Sequence, residues 1–290
     1  MQRHVFPALG TTVDCLVAAD GAEAARALLD VEAELARLEA LLSRFRPGSQ
    51  LSELNRAGQL DGAAPELVEL VEAALVAREE TGGRFDPTVH DALVAAGYDR
   101  TFDEVAPDGA SGPAGAPCGG PVEVDRAAGR IALAPGSRLD LGGIAKGWAA
   151  DRACAHLARV GPSLVNAGGD LAARGRPPEG TWPVGVDTPG GELVLGLDGG
   201  GLATSGRDRR RWRRDGAERH HLIDPATGRP GEGDLERVTV VAESAARAEV
   251  WAKALFLAGE RDAAAEADRR GLACVLVTRD GRTVLTGGLA

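Results

Sequence analysis

The chain is poor in several residue types, and each shortage excludes something. Of its 290 residues only 3% are aromatic. The core must then be built from Leu, Val, Ala and Ile, and the 44% hydrophobic content is ample for that. Four cysteines (Cys15, Cys118, Cys154 and Cys274) lie far apart and form no CxxC pair. They read as small buried thiols, which suits a reducing compartment. No apolar run is long enough to span a bilayer. The N-terminus lacks the apolar h-region of a signal peptide. These features point to a cytoplasmic protein. Basic charge is outweighed, with a net charge of −10 that argues against nucleic acid as the main partner. There is no P-loop, no GxGxxG and no GxSxG, so kinase, Rossmann dehydrogenase and α/β-hydrolase readings have no support. Lysine is the scarcest cation. Lys146 and Lys253 are the only two, and every other strong base is arginine. A chain that uses arginine for ordinary surface charge keeps lysine where a compact ammonium is needed.

What is present centres on Leu139-Asp140-Leu141-Gly142-Gly143-Ile144-Ala145-Lys146-Gly147-Trp148. An apolar run from Ile131 leads in, and an amphipathic segment from Trp148 to Val160 follows. The pattern reads as strand, glycine turn and helix. Backbone N–H groups at such a helix start are open to an anion, and glycines let a phosphate approach. Lys146 adds a mobile positive charge. Asp140 sits where a carboxylate faces a site or a cap.

The rest of the chain supplies the frame. Leu9-Gly10-Thr11-Thr12 and the alternation from Val13 read as a turn feeding an edge strand. Leu28, Val31, Leu35, Leu38, Leu41 and Leu42 recur at helical spacing over 22–45. Ser49 caps a short turn over Leu51–Asn55. Pro65 opens a helix over 66–80 that Gly82-Gly83 stops. In Phe85-Asp86-Pro87-Thr88, Pro87 stiffens a turn and Asp86 bonds local backbone. The stretch 105–121 is a Gly/Pro-rich loop. A hairpin is expected over 122–133, a strand and a second glycine turn over Ser163–Asp170, and strands over 182–186 and 193–197. Leu202–Gly206 reads as a third small-residue turn, and the arginine run over 207–214 as a solvated loop. His220 and His221 are adjacent, so in extended chain only one can face a given site. A strand at Val238, helices over 245–258 and 261–270 and a closing hairpin at Asp280-Gly281 complete the chain. Glu249 and Lys253 lie four apart on one helix face. Length favours a single domain over 1–290. Three glycine turns, each with an acid or a hydroxyl, fit a phosphate-bearing ligand. The residues alone therefore give an α+β enzyme for such a ligand.

Together these stretches resemble the ApbE family, the FAD:protein FMN transferases, over nearly the whole chain and in the family's order. The resemblance is carried by Leu9–Thr12, Ser49–Asn55, Gly83–Thr88, Asp140–Gly147, Asn166–Asp170, Thr204–Gly206 and His221–Gly228. It implies an α+β fold with a mixed, largely antiparallel sheet and flanking helices. It implies that FMN passes from FAD to a Thr or Ser hydroxyl of an acceptor protein, that AMP leaves, and that magnesium assists. His221 matches the family's proposed base. Leu9, Phe85, Asp86, Asp140, Lys146, Thr204 and Ser205 match FAD-contacting positions. The Gly143 carbonyl matches a metal ligand, and Glu249 and Lys253 match an Asp and a Thr that bind the metal. Glutamate can bind magnesium, but a protonated lysine has no lone pair to offer. The metal site is therefore the point of departure from the family.

Two alternatives share the same residues. One is hydrolysis of FAD to FMN and AMP. The other is a FAD-binding or delivery protein without turnover. No flavin-acceptor motif of the Ser/Thr-Gly-Ala-Thr/Ser type occurs in the chain, so the acceptor is expected elsewhere.

Overall fold

The structure, a computed structural model, describes residues 1–105, 108–109, 115–214 and 216–289. Seven α-helices occur among them: α1 (Ala22–Leu42), α2 (Gln50–Ala57), α3 (Pro65–Glu80), α4 (His90–Ala96), α5 (Ala145–Leu157), α6 (Ala245–Ala258) and α7 (Glu260–Arg270). None is long and apolar enough to cross a membrane. The chain forms two compact units, each assembled from separated stretches.

The first unit comprises Met1–Glu39, Ile144–Ser205 and Asp234–Ala290. Its frame is an eight-stranded sheet. The strands are β1 (Gln2–Ala8), β2 (Thr11–Val17), β3 (Ser163–Ala167), β4 (Asp170–Arg174), β5 (Gly199–Gly206), β6 (Leu235–Ala242), β7 (Ala273–Thr278) and β8 (Thr283–Thr286). They lie side by side in that order. The pairs β1/β2, β2/β3, β3/β4, β4/β5, β6/β7 and β7/β8 are antiparallel, as expected of a largely antiparallel sheet. Only β1/β2, β3/β4 and β7/β8 are joined by short turns, each with a glycine at positive φ, while long insertions separate the other neighbours along the chain. Leu9 and Gly10 join β1 to β2 with φ of 56° and 66°. Two positive φ angles make the tight turn whose twist suits a hairpin. Leu28, Val31, Leu35, Leu38 and Leu42 of α1 are all buried, which confirms the helical spacing. The expected strands over 182–197 pair as a hairpin, Trp182–Thr188 with Gly191–Leu197. Trp182, Val184, Val186 and Leu197 pack with Leu164, Leu171, Leu202 and Val275 of the sheet.

The second unit comprises Ala40–Gly143 and Gly206–Gly233. Helix α2 replaces the short turn expected over Leu51–Asn55. The Ser49 hydroxyl accepts the Ser52 N–H at 3.0 Å, and Gly58 ends the helix at φ 75°. Two caps and the buried Leu51 and Leu54 make a helix where the sequence shows little more than one turn. Helix α3 begins at Pro65, as expected, and Gly82 and Gly83 follow it with φ of 61° and 81°. The hairpin expected over 122–133 forms between Val122–Asp125 and Arg130–Leu133.

Three further expectations are corrected. The arginine run is not a plain solvated loop: Arg211–Arg214 is a strand paired with Ala217–His220. Trp212 is 6% exposed, and its ring nitrogen donates to the Ala96 carbonyl at 2.8 Å. One buried indole turns a charged run into a strand with an inner face. Leu202–Gly206 is no turn but the end of β5, since its small residues lie flat in the sheet. Helix α5 starts at Ala145, ahead of Trp148. Positions 106–107 and 110–114 of the Gly/Pro-rich loop lie outside the described residues, while Asp108–Gly109 pairs in parallel with Arg213–Arg214.

The second unit gathers a share of the scarce aromatics. Tyr98 and Trp212 pack with Phe45 and Phe102, beside Leu93 and Ile223. The Tyr98 ring centroid is 5.6 Å from that of Phe45 and 5.8 Å from that of Trp212. Four of the chain's ten Phe, Tyr and Trp residues thus meet in one cluster.

Candidate active site

The two units each carry part of the expected residue set. In the second unit, three motif stretches far apart in sequence are interlocked. The Asn55 side chain brackets Leu139, donating to its carbonyl at 2.8 Å and accepting its N–H at 2.7 Å. The next residue, Asp140, donates its N–H to the Pro87 carbonyl at 2.8 Å. The Asp140 carboxylate accepts the Gly142 N–H at 2.8 Å. Its other oxygen lies 2.5 Å from Arg44 Nε. The Arg44 and Asp140 side chains are only 6% and 9% exposed.

Arg44 is itself held on all sides. It donates to the Tyr98 carbonyl at 2.8 Å. Its guanidinium carbon lies 4.1 Å from the Phe45 ring centre and 4.7 Å from that of Tyr98. A planar, weakly hydrated cation between two rings and a carboxylate is a role that arginine fills and lysine does not. Sequence reasoning missed Arg44. Nothing local marks it among many arginines, and its partner lies far along the chain.

Phe85 is fully packed, at 2% exposure. Asp86 accepts the Thr88 N–H at 2.8 Å and the Thr88 hydroxyl at 2.7 Å. Its second oxygen is 3.3 Å from Arg78 Nε. Arg78 in turn donates to the Gly119 and Gly120 carbonyls, and Gly119 N–H donates to Thr88. The local-backbone role expected of Asp86 is therefore present, tied to the 119–120 segment by Arg78.

The two histidines differ. His220 is buried at 5% exposure. Its Nε2 donates to the Gly231 carbonyl at 2.9 Å, and its Nδ1 accepts the Leu222 N–H at 3.3 Å. Those partners assign a neutral ring with the proton on Nε2. His221 is only partly buried. Asp224 then closes the following turn by accepting from Ala226 N–H and from the Thr227 hydroxyl.

In the first unit the organising stretch meets α6. Gly147 has no room for a side chain, because a Cβ there would lie 2.5 Å from the Ala245 carbonyl oxygen. This glycine lets α5 and α6 pack backbone to backbone. Asp151 of α5 caps α6, accepting the N–H groups of Ala245 and Ala246 at 2.8 and 2.9 Å. Burial raises the Asp151 pKa, and those two N–H groups work against the rise.

The close approach brings Glu249 to the start of α5. Glu249 is 4% exposed, and its Oε2 accepts the Gly147 N–H at 2.9 Å. Its Oε1 is 3.1 Å from Lys146 Nζ. Lys146 also pairs with Asp170, which is 2% exposed at the glycine turn between β3 and β4. The anion at this helix start is thus a carboxylate of the chain itself, where a helix dipole favours it. Lys253 follows Glu249 by one turn and is partly buried. Leu9 is the only described non-glycine residue with positive φ, and its N–H donates to Glu39 at 2.8 Å. Thr204, exposed on β5, shares a hydrogen bond of 2.8 Å with the Thr239 hydroxyl. Ser205 beside it is buried.

Known proteins with this pattern exist. A model of the ApbE family matches residues 9–276. The FAD:protein FMN transferase of Salmonella typhimurium is 30% identical over 297 residues, covering 92% of this chain and 81% of that one. The protein of the same name from Escherichia coli is 36% identical over 164 residues, 52% of this chain. That match spans about half the length of the E. coli protein, 46%. Among solved structures, the ApbE protein of Thermotoga maritima superposes with a TM-score of 0.85 at 27% identity, covering 98% of this chain and 96% of that one. The chain belongs to the ApbE family.

Proposed function

We propose that this chain is a FAD:protein FMN transferase, which moves FMN from FAD to a Thr or Ser hydroxyl of an acceptor protein and releases AMP. The observation that carries the reading is the interlock of Asn55, the Phe85–Thr88 loop, Asp140 and Arg44, because a positioned site needs side chains locked by their neighbours. In the reaction the acceptor oxygen forms a bond to the FMN-side phosphorus of FAD. The bond from that phosphorus to the bridging oxygen breaks, and AMP leaves with the electron pair. The hydroxyl proton goes to His221. An imidazole suits that task near neutral pH. Of the two adjacent rings, His220 is committed to backbone partners at both nitrogens, which favours His221 as the base. Leu9, Phe85, Asp86, Asp140, Lys146, Thr204 and Ser205 are the proposed FAD contacts, and four reduced cysteines support a cytoplasmic setting.

Magnesium, which the resemblance implies, fits these residues poorly. Among the described residues no group of three or more His, Cys, Asp or Glu side chains is placed to hold a metal. Both Glu249 oxygens already have partners in Gly147 and Lys146, and Lys253 has no lone pair to give. Gly143 retains only a backbone carbonyl for the purpose.

The test is the intact mass of a candidate acceptor protein after incubation with FAD and this chain. Covalent FMN on the acceptor is expected, with AMP as the second product. His221→Ala should slow transfer by about 10²–10⁴-fold while FAD still binds. Free FMN with an unlabelled acceptor would instead establish hydrolysis, and tight FAD binding with no product a delivery protein. Full activity in His221→Ala alongside loss in His220→Ala would overturn the choice of base.

A further inference from the structure

One of the chain's two lysines meets a buried carboxylate of α6, and the other lies on the same helix. Lys146 Nζ is 3.1 Å from Glu249 Oε1. Lys253 lies one helical turn beyond Glu249, on the same face of α6. It is partly buried between the buried Ala252 and Ala254, in a helix whose Ala248, Val250, Trp251, Leu255 and Phe256 are also buried. That is a poor place for ordinary surface charge, which this chain assigns to arginine everywhere else. Lys146 bridges two buried carboxylates, Asp170 and Glu249, and Lys253 follows the second by one turn of α6.

We propose that the two lysines replace a divalent cation in this protein. Lys146 takes the place at Glu249 that a metal would need, and Lys253 supplies the positive charge for the diphosphate of FAD. The inference rests on the functional reading above, because the diphosphate belongs to that reading. An ammonium is a compact point charge with three N–H donors, and lysine binds phosphate in that way. A guanidinium is larger and planar, which accounts for lysine in an otherwise arginine-only chain. A divalent ion beside Glu249 would meet the charge of Lys146 at short range and would have to displace it. The diphosphate therefore finds its counter-charge built into α6.

The experiment compares FAD binding by the full chain in EDTA and in magnesium, read by quenching of flavin fluorescence, with calorimetric titration of magnesium alone into the FAD-free protein. Wild-type affinity should agree between the two buffers to within about threefold, and magnesium alone should give no binding heat. Lys253→Met, folded by its melting curve, should bind FAD about tenfold or more weakly in EDTA. Lys253→Thr, which removes the charge but leaves Lys146 on Glu249, should bind FAD equally weakly with and without magnesium. Wild-type binding that collapses in EDTA and returns with magnesium overturns the inference. So does unchanged affinity of Lys253→Met in EDTA. Absence of FAD binding in every buffer refutes the functional reading instead. The magnesium titration still decides the metal question in that case, since tight binding of magnesium to the free chain would overturn the replacement.

Discussion

Arg44→Met is the perturbation that most directly tests how the second unit holds Asp140. Arg44 and Asp140 form a pair 2.5 Å apart with side chains 6% and 9% exposed, so the ions are almost out of water. Removing one partner of such a pair strands the other charge and typically costs about 3–5 kcal/mol. The cation over the Phe45 and Tyr98 rings adds about 0.5–2 kcal/mol per ring when desolvated. A methionine thioether recovers part of that ring contact. The expected loss is therefore about 3–5 kcal/mol, a large share of the ~5–15 kcal/mol that folds a typical domain. Adding Asp140→Asn to Arg44→Met separates the stranded charge from the lost packing. The amide introduced at position 140 is neutral, and its oxygen can still accept the Gly142 N–H. The double variant should regain about 1–2 kcal/mol over Arg44→Met alone, because contacting residues are not additive. Urea unfolding followed by near-UV circular dichroism, to which Tyr98 and Trp212 contribute, gives the midpoints, compared at unchanged slope. A loss below ~1 kcal/mol for Arg44→Met, or a double variant no more stable than the single, would refute the view that Asp140 is charged and held by Arg44.

Two further outcomes follow from local geometry. Leu9 sits at φ 56°, where a side chain costs about 1–2 kcal/mol that glycine does not pay. Leu9→Gly should therefore raise the unfolding midpoint while weakening FAD binding, and equal FAD affinity would remove Leu9 from the proposed flavin contacts. Burial pushes the thiols of Cys15 up to about 12 and of Cys118, Cys154 and Cys274 up to about 11. A thiol near pKa 11 is only about 0.1% thiolate at pH 8, so the folded protein should resist a thiol-specific disulfide reagent that labels all four cysteines in denaturant. Rapid labelling of the native chain would show that these sites open.

Periodicity made most of the fold legible. The spacing of Leu28 to Leu42 gave α1, and the glycine turns gave the hairpins, because a helix face and a tight turn are local properties. The errors came where a distant partner decides the structure. Trp212 makes a strand of an arginine run through Ala96, which no window of sequence contains. Helix α2 has its Ser49 cap in the local sequence, but its extent depends on Leu51 and Leu54 finding a core. The candidate site divides in the same way. Asp140 and Lys146 stand out in sequence because an acid and a rare lysine at a glycine turn are unusual, whereas Asp86 and Glu249 are marked only by the resemblance to the family. Arg44 and Arg78, which hold two of those acids, look like any other arginine until the fold brings them together.

The Gly-Ile-Ala-Lys-Gly stretch shows how one pattern serves two ends. Read alone, its glycines and its lysine suggest a phosphate at a helix start. In the fold, the missing side chain of Gly147 admits the Ala245 backbone, its N–H holds Glu249, and Lys146 neutralises the same carboxylate. Both properties of the stretch, close approach and positive charge, are thus used first on a residue of the chain itself. An aspartate in place of Glu249 would be one methylene shorter and would have to give up one of its two partners unless α6 moved. Glutamate is therefore the acid that this helix spacing selects, and its pairing with Lys146 is a consequence of how closely α5 and α6 pack.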